Sequence, residues 1–387
     1  MANQANYGQG STFEASDKTL YLSIEKEIKK FPSPRIELVK RIGGFSQPVN
    51  SHKIEWSTRD NRPIKATIVE GAASGGTVVT VDTAGVFNVD DILEKPNGEQ
   101  MVVESVSGGT QITFRHLDGT PEAVSGGDVV KRIGMATAQG KTADSMVRTG
   151  FEDLYNYTSI LEDVVDLSGT EHNALIRGDE NSGQLIARKE MELAEIWQSQ
   201  MVLGKRTYDS VRKTSTNAGI KQLIDTYASA NVFDFGGSST WNNTGDDGVL
   251  GKVDNALDAL SAKVMDKPTM YVGAKFMRKF KYALSDTSVI RTDNNPDTKG
   301  IGVVGTYLSH LYGKIKVVLI QERTGWMDDL VFFIDESGLG QKAMKGRDWQ
   351  TYPLARNGDS FRWQILSERT VKMDNPEANA YIYNLGL

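Results

Sequence analysis

The chain has 387 residues, no cysteine, and 44 Lys plus Arg against 50 Asp plus Glu, a formal net charge of −6. Absent cysteine excludes a disulfide scaffold, thiol catalysis and Cys-ligated metal centres, and mild acidity argues against a dedicated nucleic-acid reader, whose domains carry a basic excess. At about 150 residues per domain the length suggests two or three cores, and 38 glycines against 10 prolines point to many tight turns.

Met1–Thr12 is polar, with neither a basic start nor an apolar stretch, so no signal peptide is expected. No run reaches the roughly 18 apolar residues of a membrane helix. The chain therefore reads as soluble and used in a cytoplasm. Residues 1 to about 18 read as a flexible arm. A short helix is expected around Leu20–Lys30, ended by Phe31-Pro32-Ser33-Pro34.

From about Glu70 to Ile133 the texture turns to short strands: Thr77–Val81, Asp91–Glu94, Met101–Val106, Gln111–Phe114 and Asp128–Arg132. Ser74-Gly75-Gly76, Asn97-Gly98, Ser107-Gly108-Gly109, Asp118-Gly119 and Ser125-Gly126-Gly127 separate them. Glycine supplies the positive φ that hairpin turns need. This stretch reads as an inserted small all-β domain. Ile54–Ile64 before it and Lys141–Arg148 after it show no strand spacing.

The middle is helical. Asn181 is the expected N-cap of a helix Gln184–Leu203, with Ile186, Leu193, Ile196, Trp197 and Met201 on one side and Gly204 as its stop. Arg188, Lys189, Glu190, Glu192 and Glu195 form its charged face. A second helix is expected over Val249–Val264, stopped by Pro268. A strand Met270–Val272 and a third helix around Lys275–Leu284 follow. Lys314–Gln321 and Leu330–Asp335 read as buried strands, while Phe361, Trp363 and Ile365 alternate as in a half-buried one. The fold class is α+β.

Candidate chemistry is sparse. Gly140-Lys141-Thr142 resembles the end of a phosphate-binding loop, and Leu330–Ile334 with Asp335-Glu336 resembles a Walker B strand. The loop needs four residues between its glycines; here Met135 holds the required position and Gly134 lies one residue too far. Gly300, Gly302 and Gly305 match a dinucleotide pattern but follow loop chemistry rather than a strand. Asp293, Asn295 and Asp297 imitate a calcium loop, yet Val304 stands where the bidentate glutamate belongs. His52, His116, His172 and His310 are scattered, without zinc-ligand spacing. Asp90-Asp91 and Asp246-Asp247 sit in turn-like contexts. No catalytic, cofactor-binding or metal residue is assigned.

The order of elements, with several short motifs, resembles the major capsid proteins of tailed bacteriophages. The motifs are Asp166-Leu167-Ser168-Gly169-Thr170-Glu171, Ala218-Gly219-Ile220, Val272-Gly273-Ala274-Lys275, Tyr312–Val317, Leu354-Ala355-Arg356-Asn357-Gly358-Asp359, and Glu368 with Thr370. The resemblance implies a Hong Kong 97-like capsid fold: an N-terminal arm (1–45), an extended loop (46–150) carrying the β insertion (about 70–133), a peripheral domain with its spine helix (151–214), an axial domain (215–355) and returning peripheral strands (356–387). It also implies self-assembly as hexamers and pentamers into an icosahedral head shell around double-stranded DNA, held without sequence specificity. A portal protein, and scaffolding or decoration proteins, would be partners. No membrane, cofactor or enzymatic activity is implied, and the location would be the virion, assembled in the host cytoplasm. Two other readings stand beside it: a P-loop-like ATPase using Lys141, Thr142, Asp335 and Glu336, and another virion structural protein, of tail or decoration type.

Overall fold

The computed structural model describes residues 36–42, 48–58, 64–83, 85–117, 123–139, 152–170, 182–242, 245–261, 263, 267–286, 306–309, 311–322, 324–356 and 358–386. The expected arm, the helix at Leu20–Lys30, Gly140-Lys141-Thr142, His172, Asn181, Asp293, Asn295, Asp297, the Gly300–Gly305 loop and His310 lie outside these residues. The chain forms two compact units, Ser57–Asp153 and Met1–Trp56 with Leu154–Leu387.

The first unit is a closed barrel of six strands: Lys65–Glu70, Val78–Val81, Asp91–Glu94, Gln100–Ser107, Gln111–His116 and Val129–Met135. Taken in chain order, the first strand pairs with the second and sixth, and the fourth with the third and fifth. Alternate residues point inward, so Ile68, Val79, Leu93, Met101, Val103 and Phe114 fill the interior. Asn97-Gly98 and Gly108-Gly109 turn two hairpins, with φ of 86° at Gly98 and 60° and 81° at the pair. Asp91 opens a barrel strand at the expected boundary and is fully buried, while Asp90 before it lies in a turn with a φ of 72°. Lys95, Glu99 and His116 form a buried polar trio. Lys95 pairs with Glu99, whose other oxygen lies 2.5 Å from His116 Nδ1. Burial pushes the Glu99 carboxyl up, but its bonds to Lys95 and His116 outweigh this and hold it below its usual range.

The second unit holds a six-stranded sheet in the order Val232–Asp234, Ala380–Tyr383, Leu330–Ile334, Thr269–Gly273, Gly313–Ile320 and Thr306–Ser309. Both faces are buried. Met270, Val272, Val331 and Phe333 face one hydrophobic cluster with the helices Val249–Leu260 and Ala274–Asp286. Tyr271, Phe332 and Ile334 face the other. Burial on both sides explains why Leu330–Ile334 is apolar at every position rather than alternating. The second helix ends at Leu260, short of the Val264 expected from the sequence.

A separate sheet centres on the 14-residue strand Ser360–Met373. It pairs with Leu339–Ala343 and Gln350–Pro353, and over ten residues with Ser159–Ser168. The long helix Ser182–Leu203 buries Leu193, Trp197 and Met201 in one cluster with Leu161, Val165 and Ile365. Ile196, expected on this buried stripe, is 54% exposed. Residue 196 directly precedes Trp197, and an α-helix turns about 100° per residue, so the sheet covers one without the other. Two two-stranded ribbons also form: Lys53–Thr58 with Glu152–Tyr157, and Thr207–Asp209 with Thr214–Thr216. The strand at Lys53–Thr58 contradicts the expected lack of strand spacing after Ile54.

Candidate functional site

The motif fragments fall far apart in sequence and meet in pairs. Asp166–Thr170 ends one strand, and Leu354–Asp359 leads into the strand paired with it. Gly169 N–H donates to the Asp359 carbonyl at 2.7 Å, and Arg362 pairs with Asp166 at 3.1 Å. Lys275, just after Gly273, pairs with Asp328 at 2.8 Å. These contacts position backbone segments.

Gly219 shows why its motif demands glycine. A Cβ there would lie 2.5 Å from the Val202 carbonyl oxygen and 2.6 Å from Gly204 N. Both are backbone atoms at the end of the long helix, so the clash has no flexible group to absorb it. Gly219→Ala is expected to lower unfolding free energy by about 1–3 kcal/mol, as overpacking does, measured by urea denaturation.

Beside Gly219 lies a buried polar network. Asn156 Nδ2 donates to the carbonyls of Ala218 (3.0 Å) and Val371 (2.8 Å), while its Oδ1 accepts from the N–H groups of Ala218 and Tyr157. Ser159 Oγ donates to Asn217 Oδ1 at 2.9 Å and accepts from Asn217 N–H at 2.8 Å. Thr158 Oγ1 donates to Glu368 at 2.7 Å, and the other Glu368 oxygen pairs with Arg347 at 2.8 Å. Burial without partners would cost each group heavily. The network joins the segment after the long helix to three strands, Glu152–Tyr157, Ser159–Ser168 and Ser360–Met373.

The carboxylates of the Walker B-like strand are both engaged. Asp335 Oδ1 accepts from Ser337 N–H at 3.0 Å and from Ser337 Oγ at 2.6 Å, closing a turn. Glu336 accepts from Arg41 Nε at 2.5 Å and Arg41 Nη2 at 3.2 Å, and from the Tyr271 hydroxyl. Arg41 ends the short helix Glu37–Arg41. The same segment is gripped through its backbone: Leu38 N–H donates to Gln198 at 3.0 Å, and Gln341 Nε2 donates to the carbonyls of Val39 and Ile42 at 2.6 and 2.7 Å. Leu38 and Ile42 are buried. Burial pushes the Tyr271 hydroxyl well up, and the neighbouring carboxylate adds to this.

Burial likewise pushes Glu336 up, but bonds to Arg41 and Tyr271 and the Arg41 charge hold it below the ordinary glutamate value of 4.5. A depressed folded value means that its stabilisation is complete above 4.5 and is lost as pH falls through the folded value. Glu336→Gln is expected to lower stability at neutral pH and to flatten the acid limb of the stability profile. Urea unfolding from neutral to acid pH measures both.

An open cleft of about 550 Å³ is lined by Ala274, Ile320, Gln321, Glu322, Thr324, Gly325 and Asp328. Glu322 is consumed there by the N–H groups of Thr324 and Gly325 at 2.5 and 2.7 Å. Among the described residues no three His, Asp or Glu side chains are placed to hold a metal ion, and no helix is long and apolar enough to cross a membrane. His52 stacks on Tyr157 and Tyr208, and His116 is buried in the barrel.

Sequence reasoning missed the strands Glu152–Tyr157 and Ser159–Ser168 and the helix Ile220–Tyr227. The alternation Leu161, Asp163, Val165, Leu167 carried a signal for the second strand. Nothing local marked Arg41, Gln341 or Asn156, whose partners lie up to 302 residues away.

Three kinds of comparison bear on identity. No curated protein matches the chain. Solved structures similar to it include a chain of Mycobacterium phage Bobi, 8% identical over 97% of this chain and 99% of that one, with a TM-score of 0.49. A chain of Gordonia phage Cozz is 11% identical over 99% and 98%, with a TM-score of 0.48. The holo-SrpI encapsulin complex of Synechococcus elongatus is 10% identical over 61% and 78%, with a TM-score of 0.41. The architecture, mixed helices and strands with a closed barrel where the all-β insertion was expected, has the α+β class read from the sequence. A family model described as SU10 major capsid protein matches residues 5–386, almost the whole length. The chain belongs to the SU10 major capsid protein family, and its function is that of a head shell protein.

Proposed function

We propose that this subunit self-assembles, as hexamers and pentamers, into the icosahedral head shell of a tailed phage around double-stranded DNA. The family match over residues 5–386 carries this reading. The role is structural and non-enzymatic, without a cofactor, and the location is the virion after assembly in host cytoplasm. The carboxylates that would serve an ATPase are spent on a turn and on anchoring Arg41, which supports a structural reading of Asp335 and Glu336. A portal protein occupies one vertex, and scaffolding or decoration proteins join the shell. Within the fold, residues 1–45 are assigned to the arm, 46–150 to the extended loop, 151–214 and 356–387 to the peripheral domain and 215–355 to the axial domain.

Expression of the full chain with negative-stain microscopy tests this. Capsomers or closed shells are expected. Monomers alone, across varied salt, overturn it, and nucleotide binding that is lost in Lys141→Ala would restore the ATPase reading.

A further inference from the structure

We propose that the ribbon Thr207–Thr216 and the aromatic surface beneath it contact the phosphate backbone of duplex DNA. The proposal rests on the shell reading above and assigns the surface that meets the packaged molecule.

Sequence places Lys205, Arg206, Arg212 and Lys213 within nine residues of a chain whose net charge is −6. The local fold concentrates them. Thr207–Asp209 pairs with Thr214–Thr216, so the two basic pairs flank one short ribbon. Asp209 Oδ1 accepts from the N–H groups of Val211 and Arg212 at 2.9 and 3.0 Å, and Lys213 adopts a φ of 55°. These contacts fix the tip. At that tip Val211 is 89% exposed and the Arg212 side chain 82% exposed.

A rigid aromatic base lies behind the ribbon. His52, Tyr157 and Tyr208 stand within 5.3–6.1 Å of one another, their planes inclined by 7–23°. Arg206 and Lys53 both sit over the Tyr155 ring, at 3.8 and 4.7 Å from its centre. Arg206 is locked further by donating to the Tyr155 carbonyl at 2.6 Å and the Tyr227 hydroxyl at 3.1 Å. Two carboxylates offset part of this charge: Glu55 pairs with Lys53, and Asp209 lies 3.9 Å from Arg212. Lys205 and Lys213 are exposed and form no ion pair among the described residues.

Exposed cations on a fixed turn suit a polyanion. Two ligand geometries compete. Single strands are held by bases stacked on free aromatic faces. Here Arg206 and Lys53 cap the Tyr155 ring and the most exposed groups of the ribbon are cations, so phosphate contact is the geometry favoured. Phosphate contacts carry no sequence information, as a container for any genome requires.

The test uses the soluble full-length chain, random-sequence duplex DNA and fluorescence anisotropy between about 50 and about 200 mM salt. The wild type is expected to bind, with log K falling linearly against log salt. Each phosphate contact contributes about 0.9 to that slope. The triple variant Lys205→Gln, Arg212→Gln, Lys213→Gln should reduce the slope by about 2–3 and weaken binding at least about tenfold at low salt. The charge-keeping variant Lys205→Arg, Arg212→Lys, Lys213→Arg should bind like the wild type. No binding by the wild type, or an unchanged slope in the glutamine variant, overturns the proposal. A preference for single strands that is lost in Tyr208→Leu overturns it in favour of base stacking. Shell formation is scored separately by microscopy. Its absence in the wild type counts against the shell reading alone, because the slope still reports phosphate contact.

Discussion

Trp197→Ala is expected to lower the unfolding free energy by about 3–5 kcal/mol, the range for removing a buried large aromatic. Trp197 is fully buried in the cluster under the long helix, together with Leu193, Met201, Val165 and Ile365. Its removal leaves a cavity bounded by a helix on one side and a strand on the other. Neither can collapse easily, since each is held elsewhere by its own ladder. The loss has a second part. Trp197 Nε1 donates to Gln341 Oε1 at 2.8 Å, and Gln341 Nε2 holds the carbonyls of Val39 and Ile42. The same Gln341 oxygen also accepts from Arg369 at 2.9 Å, so the indole is one of several groups that fix the amide. Trp197→Phe should recover much of the packing and none of the hydrogen bond. Chemical denaturation of both variants separates the two contributions. In hydrogen exchange, Trp197→Phe should also speed exchange at Leu38, whose N–H bonds to Gln198.

Asn156→Ala is the second large effect, expected at about 3 kcal/mol or more. One side chain satisfies two carbonyls and two N–H groups, all within hydrogen-bond distance. Each group left buried and unpaired costs about 1–3 kcal/mol, and the cavity left by alanine is polar enough to admit water and recover part of that. Asn156→Asp discriminates further. It keeps the acceptor toward Ala218 and Tyr157 and sets a buried negative charge against the Val371 carbonyl. It should therefore destabilise at neutral pH and recover as pH falls and the carboxyl becomes a donor. Thermal melts across pH distinguish this from a packing defect, which would not respond to pH. Loss of folded subunit in either Asn156 variant should also lower the yield of assembled particles, because assembly draws only on the folded form.

What the sequence reveals depends on range. Five of the six barrel strands were legible because their signals are local: Asn97-Gly98 and Gly108-Gly109 demand positive φ at the turns between them, whereas the first, Lys65–Glu70, lies before the expected start of the insertion and was missed. The buried strand at Leu330–Ile334 was legible because a run of five apolar residues has strand length and suits a sheet covered on both faces. The helix Ser182–Leu203 was legible as a helix, but its buried arc was drawn too wide, taking in Ile196. Period gives an apolar side; it does not say how much of it a partner covers. Ser159–Ser168 was missed because Asp163 interrupts the apolar phase of Leu161, Val165 and Leu167. Its partner, Lys189, comes from the long helix. The polar stitching around Asn156 and Gln341 was invisible for the same reason. A buried amide joining residues 39 and 341 leaves no periodic trace.

The motifs that looked catalytic invert this lesson. Asp335-Glu336 stood out as an acidic pair at a strand end. Such a pair also closes turns and anchors neighbouring segments, and here it does both. Local composition could not separate the uses; the partners Ser337, Arg41 and Tyr271 do.

The closed barrel has an evolutionary consequence. Its six strands pair only in a ring, and its core is drawn from residues 66–130 alone. Because the ring leaves no open sheet edge, it behaves as a cassette, contiguous in the gene and closed in its strand pairing. Such a cassette can be gained, lost or exchanged between lineages without exposing a raw strand. Its surface can diverge faster than the two-faced sheet, where every residue of Leu330–Ile334 is buried against one cluster or the other.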